Sequence, residues 1–213
     1  MKKTTTILAA LTMGAVTALA GTEPPPPVST GKGTVPPPMD PCAGPISYNN
    51  IEILYAYTDF DGNSDEGHGA QINIEYSPTS NFYLTLGGEW TNVDEGDLWT
   101  VHGGIGGYVP LTPNIHLAAD GGALWSKFDF DDDFGLSDDD EDEWGWYVRP
   151  HLRAKWGCLT IHAGAEYRDV EDFEEWSGFA ALYYQINPAW DLTAGVRFGE
   201  DVTTVTAGVR WRY

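Results

Sequence analysis

The densest chemistry in this chain is acidic. Residues 129–143, Asp-Phe-Asp-Asp-Asp-Phe-Gly-Leu-Ser-Asp-Asp-Asp-Glu-Asp-Glu, carry ten carboxylates in fifteen positions. Such a run repels itself unless cations screen it, so Asp131, Asp133, Asp138 and Asp140 are candidate oxygen ligands for a hard divalent ion. A second stretch, Asp59-Phe-Asp61-Gly-Asn63-Ser-Asp65, places side-chain oxygens at every other residue. It is loosely like the start of a calcium loop but lacks that motif's glycine position and its terminal Glu. Weak calcium or magnesium binding is chemically sensible at both stretches; a solvated charged surface is the plain alternative, and no resident cofactor is expected. His68, near Asp61, Asp65 and Glu66, is the one histidine in an acidic loop. A His polarised by carboxylates can act as a base, but no Ser stands convincingly beside a His and an acid. The chain is therefore not expected to be an enzyme.

The remaining charges follow a period of two. From Ile51 onward the sequence reads as ten alternating runs, 51–60, 69–77, 82–91, 98–109, 115–126, 144–156, 158–168, 176–186, 190–199 and 202–213. In an extended strand, alternate side chains take opposite faces. On that parity Arg149, Arg153, Lys155, Arg168, Arg197, Arg210 and Arg212 share the polar face with Glu52, Glu75, Glu89, Asp120, Glu166 and Asp191. Each run is near the roughly 9–11 residues that a tilted strand needs to cross a bilayer, and an even count returns both ends to one side. The fold class predicted is an all-β, antiparallel up-and-down barrel of ten strands, or eight if two adjacent runs fail to span. Pro150 lies inside the sixth run and removes a ladder donor, which predicts a bulge or a misplaced boundary there.

The polar face becomes a barrel lumen. Pairing across short turns puts Asp191 beside Arg210, and Tyr147 beside Glu166 with Arg149 diagonal to it. Closing strand ten on strand one brings Glu52 to Arg210 or Arg212. An unpaired ion in a narrow lumen costs several kcal/mol of desolvation, so these groups read as a salt-bridged brace. A narrow water-filled pore is the alternative, because ten strands lie between barrels filled by side chains and barrels that hold a channel. Inward Gly87, Gly104, Gly106 and Gly122 leave a gap, or room for long arginines to cross. His102 and His116 also point inward. His151 and His162 are expected opposite each other, but Arg149, Arg153 and Lys155 surround them and the positive field disfavours a metal cation.

Residues 1–20 have the form of a secretory signal peptide: Lys2 and Lys3, an apolar stretch from Thr6 to Val16, then Ala18-Leu-Ala20. Residues 21–50 hold nine of the fourteen prolines and read as an extended leader, a spacer or a ligand for some periplasmic partner. The barrel then occupies 51–213. The formal charge of −21 disfavours nucleic acid, while nine Trp, eleven Tyr and eight Phe argue against overall disorder. The two cysteines suit an oxidising compartment. Cys42 in the leader and Cys158 in a short turn fall on the same side of this topology, and a bond between them requires the leader to cross beneath the barrel mouth.

Three further patterns agree. Short turns alternate with mostly longer, acidic loops. Trp90, Trp99, Trp125, Trp144, Trp146 and Trp176 lie at the loop ends of their strands, and Trp156, Trp190 and Trp211 at the turn ends, all with outward parity, as two interfacial aromatic belts require. The last run, Val202 to Tyr213, stops on an aromatic. Together these features resemble the small outer-membrane β-barrel proteins of the opacity and porin-like kind. The resemblance implies export to the cell outer membrane, contact with outer-membrane lipid and lipopolysaccharide, a monomer, and Trp211 and Tyr213 as part of the signal read by the barrel-assembly machinery. It is specific for architecture and weak for function. A structural or surface-interaction role with outward acidic loops is expected first, a narrow solute pore second and an outer-membrane enzyme third.

Overall fold

The computed structural model describes residues 42, 44–60, 66–93, 96–130, 141–170 and 173–213. Ten strands form: β1 Asn50–Phe60, β2 Glu66–Thr79, β3 Phe82–Val93, β4 Gly96–Thr112, β5 Ile115–Phe130, β6 Glu141–Trp156, β7 Leu159–Val170, β8 Phe173–Gln185, β9 Trp190–Phe198 and β10 Val202–Arg212. Each pairs antiparallel with its sequence neighbours, and β10 closes on β1 from Asn50↔Arg212 to Phe60↔Val202. Closure leaves no strand edge to template aggregation. The eight-stranded alternative is excluded.

The alternation sorts each strand into two environments. On β1, Asn50, Glu52, Leu54, Ala56 and Thr58 are buried inside, whereas Ile53 and Tyr55 are more than half exposed outside. Ile72, Leu84, Ile105, Leu117, Leu152, Leu182, Leu192 and Val209 continue the exposed apolar band on other strands. Water does not tolerate a contiguous apolar surface of this extent, and hydrocarbon does. All nine tryptophans lie on outward positions. The interior is correspondingly polar: the buried apolar clusters are small, Ile46–Tyr48–Tyr83 at one end and Leu124–Tyr147–Val170 nearer the other.

One end of the barrel carries the short connections. Ser80–Asn81, Pro113–Asn114, Gly157–Cys158 and 186–189 join strands there, with Asn81 and Gly157 in the left-handed region at φ 76° and 55°. The other end carries 61–65, 94–95, 131–140, 171–172 and 199–201. Strands β4, β5 and β6 reach 17, 16 and 16 residues against nine for β9, so the wall stands taller on that side.

Several local expectations are corrected. Pro150 produces no bulge: β6 is continuous, and its pairing to β7 keeps one register from Val148↔Tyr167 to His151↔Gly164, missing only the two ladder steps at Arg149 and Pro150. The register shifts lie instead between Tyr76 and Thr79 and between Pro110 and Thr112, each at a proline near a turn, where the lost donor is tolerated. The two turns there are shorter than the prolines suggest, because β2 and β4 run past Pro78 and Pro110. His68 is not in a loop. It sits in β2 opposite Tyr57, facing outward, with Tyr55 Oη 2.6 Å from its Nδ1.

Candidate functional site

The lumen gathers the inward charges into ion pairs of two kinds. Some run along the wall, within one strand or between neighbouring strands. Arg210 lies opposite Asp191 and reaches it at 2.7 Å from Nη2, and Arg212 Nη2 reaches the other oxygen at 3.2 Å. Arg149 donates to Asp120 at 2.8 Å and approaches Glu166 at 3.5 Å, while Arg168 Nε donates to Glu166 at 2.6 Å. Other pairs cross the lumen. Arg153 on β6 grips both oxygens of Glu75 on β2, with Nη1–Oε2 at 2.9 Å, and Arg197 on β9 donates to Glu89 on β3 at 3.0 Å. Cross-lumen pairs tie facing walls together and leave few desolvated charges uncompensated.

Three expected contacts differ. Glu52 is level with Arg210 in register but accepts from Thr193 Oγ1 at 3.0 Å, because Arg210 turns to Asp191 and stacks over the Tyr183 ring at 3.6 Å. Tyr147 pairs with Arg168 rather than Glu166, which brings Glu166 within reach of Arg149. His151 and His162 are likewise offset by two residues: His162 lies opposite Arg153 and His151 opposite Gly164, with ring centroids 6.2 Å apart. His151 Nε2 accepts from Arg153 Nε at 3.0 Å, while its Nδ1 sits 3.1 Å from the Arg149 carbonyl oxygen. The imidazole thus orients an arginine, and its acceptor nitrogen is not free for a metal.

The end of the leader enters the barrel at the turn end. Cys42 and Cys158 form a disulfide with Cα atoms 4.7 Å apart. Lys155 Nζ donates to the Gly44 carbonyl at 2.9 Å. Ile46 and Tyr48 are buried, and Tyr48 stacks on Tyr108 at 4.1 Å, packs on Tyr83 at 4.9 Å and has its hydroxyl 3.2 Å from His116 Nδ1. The Arg153 guanidinium lies over the same ring at 4.2 Å. The last residues of the leader are thus packed inside the barrel at its turn end. The signal in the sequence is the parity of Ile46, Tyr48 and Asn50, which continues the inward series of β1 into the leader.

Between this plug and the loop end lies a cavity of about 160 Å³, walled by groups including Glu89, His102, Arg149, His162, Arg168 and Arg197. His162 Nε2, the Tyr147 hydroxyl and Arg212 Nε have no protein partner among the described residues. Polar walls and open valences of this kind suit water. Of the candidate cation ligands, Asp59 is at the end of β1, exposed on the outer face. Asp61, Asn63, Asp65, Asp131, Asp133, Asp138 and Asp140 lie outside the described residues. Trp211 and Tyr213 pack with tilted rings 5.3 Å apart, and the Tyr213 amide donates to the Asn49 carbonyl at 3.3 Å.

No family model matches the sequence, and no curated protein matches it. Among solved structures, the NanC porin is similar at 9% identity and TM-score 0.46, covering 76% of this chain and 100% of its own. The KdgM porin complexed with disordered oligogalacturonate is similar at 12% identity and 0.44, with 77% and 99% covered. Ail, the attachment invasion locus protein of Yersinia pestis, is similar at 15% and 0.40, with 77% and 95% covered. The architecture rests on the strand pairing and the outward apolar band, not on these likenesses. An even, closed antiparallel barrel with an apolar, tryptophan-bearing exterior is the outer-membrane pattern. The chain is a closed, ten-stranded antiparallel β-barrel with an apolar, tryptophan-bearing exterior.

Proposed function

We propose that this barrel is a closed, surface-displaying element of the outer membrane, exported by its signal peptide, with the acidic loop end outward. The observation that supports this is the state of the lumen: charges spent on one another across the bore, and the turn end stopped by Tyr48. Loop-end acids such as Asp97, Asp142, Glu143, Asp169, Glu174, Glu200 and Asp201 then form the chemically distinctive surface, together with the acidic runs 61–65 and 131–140. Among the described basic residues, seven point into the lumen and Lys127 is the other. Anionic lipopolysaccharide therefore meets few cations on this wall, and calcium or magnesium bridging carboxylates to lipid phosphates is the chemically coherent contact.

The test uses the mature chain folded into vesicles containing lipopolysaccharide. Millimolar magnesium or calcium should slow protease cleavage within 131–140 relative to a chelator-treated sample, and the oxidised protein should be electrically silent in planar bilayers. Cleavage rates indifferent to divalent ions would overturn the cation-bridged surface role.

A further inference from the structure

The same plug points to a second activity. We infer that residues 44–48 are a gate latched by the Cys42–Cys158 disulfide, and that a dithiol converts the closed barrel into a pore. This rests on the closed state proposed above and goes beyond it.

The segment is fixed at two points on opposite walls. Asn50 begins β1, while Cys158 lies in the turn between β6 and β7. In the ring order β1-β10-β9-β8-β7-β6, β7 and β6 are four and five places from β1 in a circle of ten. The chain between the two anchors turns inward, with Tyr48 against side chains of β3, β4, β5 and β6. Between the anchors, residues 44–48 belong to no strand. They are held by side chains: the Tyr48 ring among Tyr83, Tyr108 and Arg153, and Lys155 on the Gly44 carbonyl. Contacts of that sort reform and break readily once an end is loose, whereas a strand ladder does not. Behind the plug, past the Arg153–Glu75 pair, lies a cavity with charged and polar walls rather than a packed apolar core, so withdrawal of Tyr48, together with the Arg153 guanidinium that lies over its ring, joins it to the solvent at the turn end.

The chemistry of release is a balanced exchange. A thiolate of the dithiol attacks one sulfur, the other leaves as a thiolate, and the second thiol of the reagent resolves the mixed disulfide. The reagent is oxidised to its disulfide, and Cys42 and Cys158 end as thiols. Cys158 is the more exposed residue of the pair, half-buried where Cys42 is buried. Attack at Cys158 expels Cys42, so the first step already frees the plug's outer anchor. The partner class implied in the membrane's inner space is a thiol–disulfide oxidoreductase acting on an exposed turn.

Single-channel recording of the full mature chain in a planar bilayer tests this, with dithiothreitol added to the chamber that faces the turn end. Heat-modifiable mobility on gels confirms that the barrel stays folded, and thiol titration confirms reduction. The oxidised protein should be silent; reduction should produce bursts whose open fraction exceeds the oxidised baseline by roughly tenfold or more. Tyr48→Ala should raise the reduced open fraction further, and a C42S/C158S variant should burst without reductant and ignore its addition. Silence after reduction, with a folded barrel and both thiols titrated, would overturn the gate while leaving the closed-barrel role intact. Conductance with the disulfide in place would overturn both.

Discussion

Neutralising Glu75 should destabilise the barrel by about 3 kcal/mol, the low end of the cost of breaking a buried ion pair. The Arg153 side chain is 2% exposed and the Glu75 side chain 13%, so little water is at hand to replace the carboxylate. Arg153 has no second acid in waiting: Asp120 is engaged by Arg149 and by the Tyr83 hydroxyl at 3.0 Å, and the third edge of the guanidinium is already given to His151. Glu75→Gln keeps one carbonyl acceptor, which is why the low end applies. Asn50 Nδ2, which donates to Glu75 at 2.8 Å, can retain that partner. Replacing both members, Glu75→Leu with Arg153→Met, leaves no stranded charge and should recover most of the loss, less about 1–2 kcal/mol for the cation–π contact with Tyr48. The assay is urea unfolding from phospholipid vesicles, followed by tryptophan fluorescence, since all nine indoles report on the lipid interface. A Glu75→Gln cost within about 0.5 kcal/mol of zero, or one that disappears in molar salt, would mean that the lumen screens this pair as water does and would refute the desolvated brace.

Arg210→Ala should cost more than about 1 kcal/mol in the same assay, because it leaves Asp191, 2% exposed, with Arg212 alone. Gly122→Ala should destabilise by about 1–3 kcal/mol or block folding, since its Cβ would stand 2.0 Å from the Gly103 carbonyl oxygen and the backbone there cannot give way; unchanged urea midpoints would contradict the close approach of β4 and β5. Deleting Tyr213 should leave unfolded chain in the periplasm and little heat-modifiable barrel, as measured by fractionation, with normal barrel levels arguing against an assembly role. Calorimetric titration of the folded chain with calcium should show heat that a chain with residues 131–133 and 138–140 changed to Asn and Ser lacks; equal heats would place binding elsewhere.

Much of the barrel was legible because parity is local. A strand's two faces differ at every residue, so hydrophobic alternation alone told which of Glu52, Arg153, Asp191 and Arg210 point inward and which tryptophans point out. Strand number followed from counting runs, with eight left open beside ten. Chemistry at the plug was half legible: Cys42 and Cys158 share an end by topology, but Tyr48 was hidden in a proline-rich stretch whose composition masked the continued inward parity of Ile46 and Tyr48.

What parity leaves open is register, and register chooses partners. A shift of two residues keeps every side chain on its face while changing its neighbour. Glu166 could therefore be known to face the lumen before it was known to meet Arg149 rather than Tyr147, and His151 before it was known to lie beside Gly164. The cross-bore pairs were further out of reach. Arg153 and Glu75 are 78 residues apart and Arg197 and Glu89 108 apart, and only the bore's diameter, with each strand's stagger, decides which side chains bridge it. The sequence by itself determined the barrel, its lipid-facing surface and the inventory of lumen charges, because those follow from a two-residue period. Only the closed tertiary structure decided which charges pair across the lumen and that Tyr48 packs into its turn end, because both depend on distances set by all ten strands at once.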